Sequence, residues 1–493
     1  MLRAGSFTSL LGLVALSSQS CIDEPLYLGA GGSGSGGAGP GTMNSTGASA
    51  SGSSTSGQGG SGGGATVAPT PALCTFFGTL GDERLFDLRP APNGTDIVAG
   101  GDFHGSAAFD PSLVAVGTND AFLARFNRNF EVQSSRQAGV DGFGEFSSAI
   151  VAPSQDRLIG VGTYTGTVGS FTSDGGSPDV FMFDFDEGLM LAAGTPAGDA
   201  ITSGAVGGER LYIVGDADVP GIDLGTGPMP SSGFIAGFDL DSNIPTFARP
   251  LGIDMVAGSG HMVLAAPDGT AWVSLNFGGP GTTAIDCGTG FLVTEAPRQP
   301  ALLHIAEDGT CLAGRLLPPN IIEDTDLFIL DGKPGLSGSF TGELSIDDMG
   351  ITAGGSEPDA FVLLFDDGLA ATSLSSYGGE GAERPNEVIV TPGGSLIIAG
   401  EFTGTTILGD LVETSFDDSF DIYLLKMTPD GDILWSTVFR GPGVQAASAL
   451  SMNGLGDLFL GGYAAGPLDC ASPEPAYVGG YDIYMMRFDA GTL

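Results

Sequence analysis

Basic residues are scarce in this chain, histidine is scarcer, and long apolar runs are missing after Ser20. Lys and Arg number 16 against 58 Asp and Glu, a formal net charge of −42. A field of that sign opposes binding to nucleic acid or an anionic bilayer; it favours cationic ligands and metal ions, or simply keeps the protein in solution. His104, His261 and His304 occupy non-equivalent positions, and no pair of them has the spacing of a zinc site. The chain has no Gly-x-Ser-x-Gly elbow, Walker loop or dinucleotide fingerprint in a strand-to-helix context, and no Asp-x-Asp-x-Asp-Gly loop closed by a Glu. No later segment approaches the ~18 consecutive apolar residues a membrane-crossing helix needs.

What the chain does have is a repeat. Seven times between Phe76 and Leu493 a unit of roughly sixty residues recurs, marked by a short apolar strand that ends in an aromatic or small residue and Gly. Leu158-Ile-Gly-Val-Gly-Thr-Tyr-Thr-Gly166 and Leu396-Ile-Ile-Ala-Gly-Glu-Phe-Thr-Gly404 are clear copies, and Ala271-Trp-Val-Ser-Leu-Asn-Phe-Gly278 is a degenerate one. A second marker follows about fifteen residues later, as in Asp120-Ala-Phe-Leu, Asp359-Ala-Phe-Val and Asp482-Ile-Tyr-Met. The apolar runs are short, rich in Val, Ile, Phe and Tyr, and bounded by Gly, Pro, Asn and Asp, which is strand and turn chemistry. In the sixth unit, runs beginning at Glu387, Leu396, Asp421 and Ile433 give four strands, a to d. Four strands per repeat make one propeller blade, so the expected fold is an all-β, seven-bladed β-propeller.

The last unit supplies strands a, b and c but no d. A matching orphan, Cys74-Thr-Phe-Phe-Gly-Thr-Leu-Gly81, precedes the first a strand. The expectation is that Thr75 to Leu80 pairs with Ile483 to Phe488 and closes the ring.

Before the repeats, residues 1–20 carry one Arg and an apolar stretch around Leu10 to Leu16, the pattern of a secretory signal. Cys21 follows Ser18-Gln-Ser and resembles the lipidated cysteine of a bacterial lipoprotein, although Ser18 stands where Leu is usual. Residues 21–71 are dominated by Gly, Ser, Ala and Thr, too poor in apolar surface to offset ordering entropy, and read as a flexible tether to a propeller over 72–493.

The remaining four cysteines fall at equivalent places in two units. Cys287 and Cys470 lie in b to c connections, whereas Cys311 and Cys74 open d strands. Pairing across the ring would exceed the ~7 Å Cα limit of a disulfide, so Cys287 with Cys311 and Cys74 with Cys470 are the expected bridges in an oxidising compartment. Each needs its b to c connection to fold down the outer edge of the blade; otherwise the thiols are free.

The Gly-x-Phe-Thr-Gly and Asp-Ala-Phe markers, as at Gly400 to Gly404 and Asp359 to Phe361, resemble the bacterial β-propeller repeat (SBBP-like) of secreted and lipid-anchored cell-surface proteins. The resemblance covers the chain from Cys74 onward and implies binding or structural roles more than a reaction.

The a to b and c to d connections are tight, whereas the b to c connections are long, so the face bearing b to c and d to a connections is expected to carry function. Carboxylates recur where the a strands begin: Asp82, Glu83, Asp141, Glu145, Asp199, Asp254, Glu323, Asp324, Asp326, Glu380, Glu383 and Glu387. They read as a solvated acidic rim around the channel mouth, with Glu323, Asp324 and Asp326 as the candidate ligands of a calcium ion. The leading functional expectation is a non-enzymatic surface scaffold for a protein or an envelope polysaccharide, touching membrane only through its lipid. The alternative is an exported polysaccharide lyase or hydrolase acting at the channel mouth.

Overall fold

The computed structural model describes residues 68–152, 154–173, 176–230, 232–251, 262–277, 283–287, 290–294, 299–322, 326–470 and 477–493. The expected signal segment, Cys21, nearly all of the expected tether, Asp254, His261, Glu323 and Asp324 lie outside these residues.

Short β-rich runs separated by Gly, Asn and Asp turns give seven four-stranded antiparallel sheets arranged as the blades of a propeller. Blade 1 runs from the axis outward as Glu83–Pro90, Ile97–Phe103, Asp120–Phe126 and Val132–Gln137, its strands a to d. The a strands of blades 2 to 7 are Val140–Ala152, Asp199–Gly207, Met262–Ala265, Asp326–Leu330, Glu383–Val390 and Gln445–Met452. The sixth unit forms the four strands expected, each extended by a few residues. Blade 7 consists of Gln445–Met452, Leu458–Ala464 and Asp482–Phe488, completed on its outer edge by Leu73–Phe77. The closing strand pairs from Leu73 opposite Arg487 to Phe77 opposite Ile483, so the orphan segment closes the ring a little earlier in sequence than expected.

The core is not central. Its apolar side chains form seven clusters, each straddling two adjacent blades. One joins Leu85, Leu88 and Phe122 of blade 1 to Phe459, Ile483 and Met485 of blade 7. Another joins Phe340 and Phe361 of blade 5 to Trp272 and Leu302 of blade 4. Each blade therefore buries both faces, which is why the strands read as nearly continuous apolar runs rather than alternating ones.

In blades 4, 5 and 6 the long b to c connection becomes a second hairpin: Thr283–Asp286 with Phe291–Thr294, Glu343–Ile346 with Met349–Thr352, and Thr405–Leu408 with Leu411–Thr414. These hairpins fold down along the outer strands. Ser436 Oγ, on the d strand Ile433–Phe439, donates to Leu408 O at 2.8 Å, and Arg440 pairs with Glu413 at 2.7 Å. Covering the outermost strand hides unpaired backbone groups that would otherwise template aggregation. The same descent brings Cys287 to Cys311, with Cα atoms 4.5 Å apart, and Cys470 reaches Cys74 at 6.1 Å, so both expected disulfides form.

Candidate ligand site at the mouth of the central channel

The a strands shape the channel through a shared irregularity. In blades 1, 2, 3, 6 and 7 the pairing of a with b shifts register by a bulge, between Leu85 and Asp87, Phe146 and Ser148, Ile201 and Ser203, Pro385 and Glu387, and Ala446 and Ala449. Blades 4 and 5 begin their a strands where the others resume, at Met262 and Asp326. The residues just after the bulge, with Met262 and Asp326, make one layer around the axis: Asp87, Ser148, Ser203, Met262, Asp326, Glu387 and Ala449.

This layer stitches blade to blade. Asp87 accepts the Ala149 N–H at 2.9 Å and the Ser148 hydroxyl at 3.0 Å. Asp326 accepts the Val388 N–H at 2.5 Å, and Ser203 accepts the Val263 N–H at 3.3 Å. The Met262 sulfur lies 3.4 Å from the Leu327 nitrogen in the same relation. Arg89 crosses the axis beneath these groups, with Nε 3.0 Å from Asp87 and Nη1 3.5 Å from Glu387, two blades away. Burial pushes the Asp326 and Glu387 carboxyls upward, and the Arg89 guanidinium partly offsets it. The axis is thus barred by a buried polar plug.

Asp326, the described member of the expected calcium trio, belongs to this plug. It also accepts its neighbour's Leu327 N–H at 2.8 Å, so it faces inward rather than toward a solvated rim. Glu83, Asp199, Glu383 and Glu387 are buried as well, and the rim expected from sequence is, at these positions, an interior feature. The physical reason is the propeller's geometry: a strand that starts at the mouth still packs between two neighbouring blades. Among the described residues no group of three or more His, Cys, Asp and Glu is disposed to hold a metal ion.

Above the plug, toward the long-connection face, the b-strand residue just before the partner of the c strand's first residue forms a second layer: Asp102, Thr163, Asp216, Asn276, Ser339, Glu401 and Tyr463. All carry a polar group, in strands that are mostly apolar. Across blades 6, 7, 1 and 2 this layer is joined by polar and aromatic partners. Arg84 pairs with Asp102 at 3.2 Å, and the Asn119 amide donates to the same carboxylate. Asn386 donates to Glu401 at 2.9 Å and to Ala447 O at 3.2 Å. The Phe86 and Tyr463 rings meet edge-on at 6.2 Å, Tyr463 and Tyr481 at 5.3 Å, and the Arg84 guanidinium lies over Phe86. Glu145 is pushed up to about 7 by burial and by the Asp102 charge, against the pull of Arg84 and the Thr163 hydroxyl. It therefore titrates near neutrality and can give or take a proton.

Around this mouth, the connections of the same blades expose apolar side chains: Leu80 at 89%, Val116 at 62%, and Val114, Phe171, Phe416 and Val478 at about half. Among the described residues, the short-turn face exposes Ile244 and Leu455 in this way.

Among the described residues, the two histidines take no part. The His304 ring stacks on Trp272 at 4.0 Å and meets the Thr270 hydroxyl at 2.9 Å, and burial holds it below its usual pKa. His104 is exposed and bonds Thr118 O. Sequence reasoning missed Arg84, Arg89 and Tyr463. The residue before the Phe, Tyr or Ala that pairs with the start of each c strand was the available signal, because it carries a polar group in every unit.

No known family's sequence pattern matches the chain, and no curated protein matches it. Solved structures do resemble it. Kuenenia stuttgartiensis hydrazine synthase is 12% identical with a TM-score of 0.40, over 78% of this chain and 92% of that one. BamB from Moraxella catarrhalis is 10% identical with a TM-score of 0.35, over 84% and 97%. Quinohemoprotein alcohol dehydrogenase from Comamonas testosteroni is 10% identical with a TM-score of 0.40, over 85% and 76%. Similarity this distant is one of fold and carries no function.

Proposed function

We propose that the chain is an exported, lipid-anchored binding module of a bacterial envelope, tethered through Cys21 and the Gly/Ser-rich segment, with no reaction of its own. Its ligand seats on the long-connection face over blades 6, 7, 1 and 2. The observation that carries this is the mouth itself: aromatic edges and planar polar groups, Phe86, Tyr463, Tyr481, Arg84, Asn386 and Glu401, set over an axis that Arg89 bars. A surface of that chemistry suits a polyhydroxylated polymer, which offers apolar ring faces and many hydroxyls, and the barred axis leaves the mouth a surface rather than a conduit. An envelope polysaccharide is thus the favoured ligand over a protein partner.

Binding of purified envelope polysaccharide to the immobilised protein, compared between the unmodified chain and Phe86→Ala or Tyr481→Ala, tests the mouth. At least a tenfold weakening is expected, and unchanged affinity would remove it as the binding surface. Incorporation of radiolabelled palmitate, abolished by Cys21→Ser, tests the anchor. Glu145 keeps one second reading alive, a lyase or hydrolase with this carboxyl as its acid or base. Release of new reducing or unsaturated ends from the polysaccharide, lost in Glu145→Gln, would establish it. Calcium at Glu323, Asp324 and Asp326 is tested by melting the protein with and without millimolar Ca²⁺.

A further inference from the structure

The Asp that opens most c strands has a structural task, to tie a blade to the connection entering the next. Where the neighbouring a strand brings no second acid, both oxygens of this Asp receive donors. Asp120 accepts Val140 N–H at 3.1 Å on one oxygen, and Val116 N–H at 3.1 Å and the Gln137 amide at 2.9 Å on the other. Asp421 accepts Gly441 N–H at 3.1 Å and Phe416 N–H at 2.5 Å.

Three seams differ. Between blades 7 and 1, 2 and 3, and 5 and 6, a second buried acid arrives five residues after a Gly: Glu83 after Gly78, Asp199 after Gly194, Glu383 after Gly378. Each feels the charge of the Asp that opens a c strand of the preceding blade, namely Asp482, Asp179 and Asp359. The Gly is required because that carboxylate lies against it, and a Cβ at Gly78 or Gly194 would collide with Asp482 or Asp179. A Cβ at Gly378 would stand 2.6 Å from Glu383 Oε2 and 2.9 Å from Asp359 Oδ1, so these oxygens converge on one place. At two of the seams the tie is half made: Asp482 Oδ2 and Asp359 Oδ2 accept Val478 and Gly354 N–H at 2.8 Å, whereas Oδ1 of each has no donor.

We infer that the two carboxyls of each pair share a proton taken from solvent, as a carboxylic acid hydrogen-bonded to a carboxylate, and that this proton supplies the donor that Oδ1 of Asp482 and of Asp359 lacks. The three seams, one of them the ring's closing seam, then form a proton-dependent fastening that loosens as the solution turns alkaline. Two buried carboxylates that feel one another's charge hold on to a proton or take up a cation rather than both stay bare. The other titratable groups facing the pairs are acidic or phenolic: Asp82 and Tyr477 at the first seam, Asp216 and Asp218 at the second, Tyr377 at the third. Burial raises Glu83 and Asp199 to about 7 and Glu383 to about 8.

The chain supplies its own neutral control. Between blades 6 and 7 the equivalent residue is Gln445, whose amide donates to Gly441 O and Pro442 O at 3.1 Å and to Gly443 O at 2.6 Å. An amide thus fits where an acid stands elsewhere.

The test is melting temperature against pH, in EDTA, for the unmodified protein, the triple variant Glu83→Gln, Asp199→Asn, Glu383→Gln, and Gln445→Glu. The unmodified protein should lose melting temperature as pH rises from about 6 to about 9, the triple variant markedly less, and Gln445→Glu more. If all three share one slope, the inference is overturned. It is also overturned if Ca²⁺ restores the alkaline loss in the unmodified protein and not in the triple variant, because a cation would then hold the pairs. Should the triple variant not fold, infrared difference spectra at neutral pD decide: Glu383→Gln alone must remove part of the protonated-carboxyl carbonyl band, and an unchanged band refutes the shared proton.

Discussion

Arg89, on the innermost strand of blade 1, places Nη1 3.5 Å from Oε1 of Glu387 on blade 6, so one guanidinium spans the propeller's axis. It is the cationic member of a group that holds three acids, Asp87, Asp326 and Glu387. Replacing Arg89 with Met should destabilise the fold by about 2 kcal/mol, below the usual cost of breaking a buried pair because a third of the side chain meets solvent. Urea unfolding of the two proteins measures it, and the loss should grow with pH as the acids lose their counter-charge.

The two disulfides should differ in worth. Cys74 and Cys470 are 396 residues apart in sequence and join the ends of the ring, whereas Cys287 and Cys311 are 24 apart within one blade. Loop-closure entropy favours the longer bridge, so Cys470→Ser should cost about 4 kcal/mol and Cys287→Ser about 3 kcal/mol. Denaturant midpoints of the two variants, each carrying its partner as Ser, give the order.

A chain that starts at Gly78 should fail to form the native ring. It lacks the strand Leu73–Phe77, the Phe76 contact with Tyr484, the Phe77 contact with Phe126 and the seam disulfide, and it exposes the edge of Asp482–Phe488. Size-exclusion chromatography should show aggregation, whereas a chain starting at Ala68, which keeps the Ala68 contact with the core of blades 6 and 7, should elute as a monomer with unchanged melting temperature.

Glu145 gives a pH dependence of definite sign. Its folded value near 7 lies above the ordinary 4.5, so the folded state binds more protons between these values. That contribution is full below about pH 4 and is lost as pH rises through about 7, which makes the protein less stable in mild alkali. Glu145→Gln should flatten the melting-temperature profile between about pH 6 and pH 8.

The blade count, the strand borrowed from the N-terminus and both disulfides could be read from the sequence because each follows from repeat position. A missing d strand and its orphan copy are sequence facts, and so is the equivalence of Cys74 with Cys311. What could not be read was orientation. Glu387 looks like a surface acid until a bulge, which no residue type announces, turns it onto the axis beside Arg89, and Asp326 until its strand is seen to begin at that same level. The long connection from Thr405 to Phe420 looked free to bind, yet most of it is spent covering its own outer strand. Tyr463 was hidden by the degeneracy of its unit, where Gly-Tyr-Ala replaces Gly-Glu-Phe.

The central claim is that ligand binds at the mouth over blades 6, 7, 1 and 2, and carbene footprinting with and without soluble envelope polysaccharide tests it most directly. Protection is expected at Phe86, Tyr463 and Tyr481, with none at the opposite-face turns holding Asn93, Pro392 and Asp430. Protection at those turns, with the mouth residues labelled equally in both samples, would contradict it.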